Sequence, residues 1–293
     1  MKKVVVIGGT NIDLLAHSYT PIILNDSNPG FIKKTWGGVA RNIAENLARL
    51  DLNPSFITVL GKDANEFISM AKSINLSLKY LSVPLTSSYI AIHDSDGELK
   101  LSLSAMDSMN KMTPTFLIKH FDLINSADLV ILDANISDES LKYLFETFDK
   151  QFYVDVISSV KALKFLPYLS KIDTIKLNLQ EGYALTTSND PLKIGDLLLS
   201  LGIKNIFLTL GSQGAYHFHD KQIGYYKKEL EGKIENDTGA GDAFFSGAIY
   251  ALISGLDPLK TGTLLAHLTL HSKDSVYKNI NVNHLIEMIK ETL

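Results

Sequence analysis

The 293-residue chain has no cysteine and a single tryptophan. Without cysteine there is no disulfide, no thiol nucleophile, no iron–sulfur cluster and no Cys-ligated zinc. Clustered positive charge is missing too. Lys and Arg number 28 against 32 Asp and Glu, a net charge of −4, and the basic doublets are Lys2-Lys3, Lys33-Lys34 and Lys227-Lys228. A polyanion groove needs a basic face or stripe, so no nucleic-acid partner is expected. No apolar run approaches the roughly 20 residues of a membrane helix, so no membrane partner is expected either. Val4 to Ile7 follows two lysines as in a signal peptide, but Gly8-Gly9 ends the run before it reaches the length of an h-region. Internal repeats and low-complexity linkers are absent. There is no Gly-x-x-x-x-Gly-Lys-Ser/Thr loop. Gly8-Gly9-Thr10-Asn11 stands where a dinucleotide fold would carry Gly-x-Gly-x-x-Gly. With 45% apolar and 20% charged residues, the composition is that of a globular protein, and a cytoplasmic enzyme or binding protein is expected.

The chain alternates strand and helix. Val4 to Ile7 reads as a buried parallel strand, and residues 39–50 carry Val39, Ile43, Leu47 and Leu50 at helical spacing. Asp51 stands where a helix end prefers glycine, and Asp tolerates the left-handed geometry required there. Strands are expected over 56–60, 129–132, 152–156, 174–177 and 206–209, and core helices over 64–74, 243–256 and 259–270. Two pieces break the rhythm. Residues 14–36 are short apolar pieces interrupted by Pro21 and Asn28-Pro29-Gly30. Residues 87–105 alternate around Asp94-Ser95-Asp96-Gly97 as a hairpin. Repeated β–helix units imply a three-layer α/β/α sandwich on a mainly parallel sheet, with ligands at the carboxyl ends of its strands. The two other pieces, about 14–36 and 86–106, would form a small β-sheet lid on a single domain spanning 1–293.

The strongest chemical signal is Asn236-Asp237-Thr238-Gly239-Ala240-Gly241-Asp242-Ala243. Small residues before a helix let backbone N–H groups converge on an anion. A carboxylate at Asp242, in the first turn, is favoured by the helix dipole. A glycine loop with Asp242 as a plain cap is the simpler alternative, but such a cap needs no Gly-Ala-Gly before it. In the functional reading the amides of Gly239, Ala240 and Gly241 hold a transferring phosphoryl group while Asp242 takes the proton of the attacking hydroxyl.

This run resembles the C-terminal signature of the ribokinase-like (PfkB-type) sugar and nucleoside kinases. Three further segments match in order and spacing: Gly37-Gly38-Val39-Ala40-Arg41-Asn42, Lys176-Leu177-Asn178-Leu179-Gln180-Glu181 and Thr209-Leu210-Gly211-Ser212-Gln213-Gly214. The resemblance covers essentially the whole chain. Ser27-Asn28-Pro29-Gly30, the unbroken 37–50 segment and Asn236 resemble the pseudouridine-phosphorylating branch; most sugar kinases of the family carry Asp at the position of Asn236.

The resemblance implies ATP as co-substrate, Mg²⁺, and a nucleoside or sugar acceptor. It places Asp13 on vicinal sugar hydroxyls, Gly38 close to the sugar and Asn42 as donor and acceptor to hydroxyls. Asp13 as a loop residue satisfied by nearby amides, and Asn42 as a solvated helical residue, are the bland alternatives. Asn11 and Asn28 are candidates for base or ribose, although Asn-Pro-Gly is equally a turn. Asn178 and Glu181 would organise Mg²⁺ and its waters, unless they merely start a helix with Glu181 at its third position. Thr209, Gly211 and Gly214, with Gly241, would hold ATP, and residues 266–272 part of the adenine pocket. Asn236 and Thr238 correspond to positions framing a K⁺ ion, though the Asp-to-Asn change removes a formal charge. His217-Phe218-His219 has metal-like spacing without a third ligand, and reads as a surface strand. Trp36 reads as packing. An exposed apolar face on the lid would favour a homodimer.

Overall fold

The computed structural model describes residues 2–229, 232 and 234–291. Among them are thirteen strands: β1 (Val4–Ile7), β2 (Asn11–Ser18), β3 (Gly30–Gly37), β4 (Ser55–Gly61), β5 (Ser77–Val83), β6 (Ser87–His93), β7 (Leu99–Ala105), β8 (Leu129–Asp133), β9 (Gln151–Asp155), β10 (Ile172–Asn178), β11 (Asn205–Thr209), β12 (Ala215–His219) and β13 (Gln222–Tyr226). Nine form one sheet in the order β13-β12-β11-β10-β9-β8-β1-β4-β5. It is parallel from β5 to β11, and the β11–β12–β13 edge is antiparallel.

Helices cover both faces of this sheet, and side-chain alternation along each strand divides the core in two. Val4 and Val6 of β1 pack with Ile43, Leu47, Phe245, Ile249 and Leu265, from the Val39–Arg49, Ala240–Ser254 and Pro258–Leu270 helices. Val5 and Ile7 pack on the other side with Leu141, Phe145 and Leu198, from the Asp138–Thr147 and Pro191–Ser200 helices. This is the expected three-layer sandwich.

The other four strands make the expected small sheet, ordered β3-β2-β6-β7. It begins earlier than expected. β2 starts at Asn11 and runs antiparallel to β3 up to Gly37, so Asn11 and Asp13 are strand residues and not loop residues. β2 pairs parallel with β6 from Asn11–Ser87 onward. The antiparallel β6–β7 hairpin is as expected, with Gly97 at φ 86° in its turn. Asp51 has φ 59°, the left-handed geometry anticipated at the end of the first helix.

His217-Phe218-His219 forms β12, but not as a surface strand. β12 lies between β11 and β13, and His217 is buried, stacked on Phe207 and on His219 with its Nε2 3.1 Å from Asn205 Oδ1. Burial first, and then His219, push the His217 pKa down to about 4. Among the described residues no group of three or more His, Asp or Glu side chains is arranged to hold a metal. Trp36 packs on Phe67, with Lys34 over its ring. None of the described helices is long and apolar enough to cross a membrane.

Candidate active site

The carboxyl ends of the parallel strands carry a ring of charge that apolar strand interiors alone would not require. β8 ends in Asp133, β9 in Asp155, and β10 holds Lys176 two residues before its end; all three are buried. Asp133 Oδ2 accepts from the backbone N–H of Gly9 and of Ala40, each at 3.0 Å, and from Asn135 Nδ2 at 3.1 Å. It thereby ties the turn after β1 to the start of the Val39–Arg49 helix. Burial raises its pKa, and these donors work against that rise. Gly38 opens this helix at φ 105°, and a Cβ there would lie 2.5 Å from Gly9 O. Only glycine permits so close an approach at such a φ.

The same helix presents Asn42 to the other half of the chain. Asn42 Nδ2 donates to Asp242 Oδ2 at 2.6 Å across 200 residues. Asp242 sits in the first turn of the Ala240–Ser254 helix, and Gly239 caps that helix in left-handed geometry, φ 85°. A side chain on Gly239 would begin 2.1 Å from Ser275 O. The tight loop ends at a helix N-terminus, which suits an anion, and within it Ala240 N lies 3.4 Å from Asp237 O.

Burial is the main reason that the Asp242 pKa is pushed up to about 7. Asp155 adds to the rise, Lys176 and the Asn42 hydrogen bond oppose it, and Asp133 adds the smallest contribution. Lys176 Nζ lies 3.1 Å from Asp155 Oδ2. Burial disfavours its charge, but Asp155, Glu181 and Asp242 together hold it firmly protonated. A carboxylate with a near-neutral pKa beside an anion-holding turn has the chemistry of a general base.

Two cavities adjoin this turn. The larger, about 350 Å³, is lined by Thr209, Gly211, Gly214, Ala240, Gly241 and Ala266, among others. Ala266, His267 and Leu270 come from the stretch expected to face an adenine. The smaller, about 170 Å³, is lined by Asp13, Lys33, Tyr89, Asn236, Thr238 and Ser275, among others. The 236–242 segment contributes to both, so two ligands would meet on either side of it. Asp13 is partly buried and receives Asn11 Nδ2 at 2.5 Å. Burial raises its pKa, against the Asn11 bond and the Arg41 charge. Lys33 of β3 donates to Lys273 O, bridging the small sheet to the body beside this cavity.

Several expected site residues have local tasks. Asn178 and Glu181 form a reciprocal capping box: Glu181 N donates to Asn178 Oδ1 at 2.9 Å, and Asn178 N to Glu181 Oε2 at 2.8 Å. The helix-start reading is therefore present, and it also fixes Glu181 beside Lys176. Burial raises the Glu181 pKa, with Lys176 opposing it. Asn236 Oδ1 accepts from Thr238 N at 3.0 Å, a turn within the loop. Asn28 lies apart from Asp13. Its side chain accepts from Ile23 N and donates to the Ile23 and Asp26 carbonyls, which is the turn alternative. The sequence reading singled out neither Asp133, Asp155, Arg41 nor Ser275. Asp133 and Asp155 had a signal, since each closes an apolar strand with a carboxylate. Ser275 had none.

The pattern of the pfkB family of carbohydrate kinases matches residues 1–275. The pseudouridine kinase of Escherichia coli is 31% identical over 264 residues, 86% of this chain and 84% of that protein. A ribokinase of Staphylococcus aureus is 26% identical over 276 residues, 88% of each chain. Among solved structures, a carbohydrate kinase from Agrobacterium tumefaciens has a TM-score of 0.85 at 27% identity, over 99% of this chain and 97% of that one. A ribokinase from Thermotoga maritima, at 18% identity and TM-score 0.79 over 99% and 100% of the two chains, shares the fold. With two glycine turns, a buried carboxylate on a loop that lines two cavities and a family match spanning nearly its whole length, the chain belongs to the pfkB family of carbohydrate kinases, phosphotransferases with an alcohol as acceptor.

Proposed function

We propose that this kinase phosphorylates the 5′-hydroxyl of pseudouridine, with ATP as donor. The observation that carries the substrate is the 31% identity to the Escherichia coli pseudouridine kinase over most of both chains; Asn236 in place of the acid usual in sugar kinases supports it. The larger cavity takes ATP, with Thr209, Gly211 and Gly214 around its phosphates. The smaller takes the nucleoside, with Asp13 accepting from two vicinal hydroxyls and Gly38 and Asn42 beside the ribose. Asp242 removes the proton of the 5′-hydroxyl, whose oxygen forms the bond to the γ-phosphorus as the bond to ADP breaks. The amides of Gly239, Ala240 and Gly241 receive the migrating charge. The small sheet keeps water from the transfer.

A direct protein cage for Mg²⁺ does not fit the described residues, since no three metal-ligating side chains converge. One buried carboxylate, Glu181, with Asn178 beside it, fits an ion that arrives on the nucleotide phosphates and keeps waters toward the protein. Bound there, Mg²⁺ would neutralise charge on the transferring phosphoryl group. The same reading expects a homodimer through the outer face of the small sheet, where Ile32, Leu99, Leu101 and Leu103 are exposed.

The test is ADP release from ATP and Mg²⁺ with pseudouridine, uridine, adenosine, ribose and fructose supplied separately. Pseudouridine should be turned over in strong preference to uridine. Preference for ribose or another nucleoside would leave the kinase standing and reject the substrate. The Staphylococcus aureus ribokinase relative makes ribose the first competitor to include.

A further inference from the structure

A buried chain of hydrogen bonds reaches Asp242 through Asn42. Glu45 accepts from Arg41 Nη1 at 2.6 Å, with both side chains at most 4% exposed. Arg41 Nη2 lies 3.3 Å from Ser275 Oγ. Ser275 Oγ lies 3.1 Å from Asn42 Oδ1 and 3.2 Å from Trp36 O. Asn42 Nδ2 completes the line to Asp242 Oδ2 at 2.6 Å. Ser275 is itself buried.

The direction of these bonds is dictated by chemistry. A guanidinium only donates, so Ser275 Oγ must accept from Arg41. An ionised carboxylate only accepts, so Asn42 must turn its NH₂ end to Asp242 and its carbonyl oxygen to Ser275. The one hydroxyl proton of Ser275 lies between two acceptors, Asn42 Oδ1 at 3.1 Å and Trp36 O at 3.2 Å, and it is the donor that meets Asn42 Oδ1. From Arg41 Nη2 through Ser275 to Asn42 the donors then point toward Asp242, while Arg41 Nη1 donates the other way to its anchor Glu45. Along the three bonds toward Asp242 each polarises the next. The reversed amide would bring an oxygen against the carboxylate. Ser275 also sets the loop from its other side, because its carbonyl abuts Gly239.

We propose that Ser275 is a positioning residue: anchored by Arg41, it fixes the orientation of the Asn42 amide and through it the Asp242 carboxylate. The inference rests on Asp242 being the base. Ser275→Ala should lower kcat about tenfold, the scale of one buried hydrogen bond lost from the reacting geometry, with KM for ATP unchanged. Ser275→Thr, which keeps the hydroxyl, should recover most of the rate. The decisive measurement is a double-mutant cycle on kcat: in an Asn42→Ala background, Ser275→Ala should cost less than about twofold more, because the residue through which it acts is gone. Losses that multiply, or a Ser275→Ala enzyme within twofold of wild type, would overturn the inference. Should Ser275→Ala unfold, Ser275→Val against Ser275→Thr makes the same comparison at equal shape: equal rates overturn the inference, and a slower Val enzyme supports it. Asp242→Asn separates the two readings. If it stays active, the base assignment has failed; if it is inactive while Ser275→Ala is normal, only the role of Ser275 has.

Discussion

The two sheets of this protein are built on opposite terms with water. In the nine-stranded sheet both faces are covered, and all four residues of β1 are at most 4% exposed. In the four-stranded sheet one face is open: on β7, Leu99, Leu101 and Leu103 are 50%, 59% and 57% exposed. The chemical groups follow this division. The buried charges Asp133, Asp155, Lys176 and Asp242 all belong to the large sheet and its helices, where exclusion of water makes each charge strongly felt by its neighbours. The small sheet contributes Asp13, which lines the smaller cavity. On the proposed function, reactivity falls to the doubly covered framework and acceptor recognition to the sheet with an open face.

Substitutions on each sheet should therefore fail in different ways. The largest effect is expected from Asp242→Asn: kcat falls by about 10³-fold or more, within the range for removing a general base, while ATP affinity measured by calorimetry is retained. A variant with near-normal kcat would remove the large sheet's claim to the chemistry.

A second test is pH. With the Asp242 pKa near 7, kcat should climb as pH rises through that value, where the base loses its proton. Stability should move the other way. The folded state binds the Asp242 proton between the unfolded value of about 4 and the folded value near 7, so rising pH destabilises the fold across that window. Asp242→Asn should then melt several degrees above wild type at pH 8, with the gap closing toward pH 4. Calorimetric melting curves at the two pH values check this, and a constant gap would refute it.

Asp13→Asn, on the small sheet, should show the complementary pattern. KM for the acceptor should rise about 10- to 100-fold, the cost of one charged hydrogen-bonding partner, with KM for ATP within twofold. A kcat loss as deep as that of Asp242→Asn would erase the distinction between the sheets. The smallest catalytic effect is expected from Leu101→Glu on the open face, which should change elution from dimer to monomer with kcat within about twofold, since single surface changes away from a site cost little. A wild-type enzyme eluting as a monomer would reject the pairing through this face.

The difference between the sheets also decided what could be read from sequence. Val4–Ile7 and Leu129–Asp133 announce themselves as continuous apolar runs because both of their faces are buried. The 87–105 hairpin is legible from alternation and its Asp-Gly-bearing turn. β2 was the harder strand. Asn11–Ser18 neither alternates cleanly nor runs apolar, and it is held by pairing with β3 and β6, partners distant in sequence. Within the site, Asp242 and the glycine turns were legible because their chemistry is local: a helix N-terminus needs small residues wherever it binds an anion. The pairing of Lys176 with Asp155 was not, since an ion pair between two strands is a fact of register. Asn28 carried both a turn signal and a ligand signal, and its hydrogen bonds are those of the turn.

The span from Asn42 to Asp242, with Ser275 beyond it, has a consequence for how the enzyme comes into being. β1, the first strand made, lies between β8 and β4, so even the middle of the sheet waits for residue 133. Contacts so far apart in the chain are slow to form. During synthesis the anion turn emerges after more than four-fifths of the polypeptide, and its bracing serine later still. A growing chain therefore lacks the proposed base and phosphate-holding turn, and also the late helices that complete one side of the core, until nearly all of it has been made.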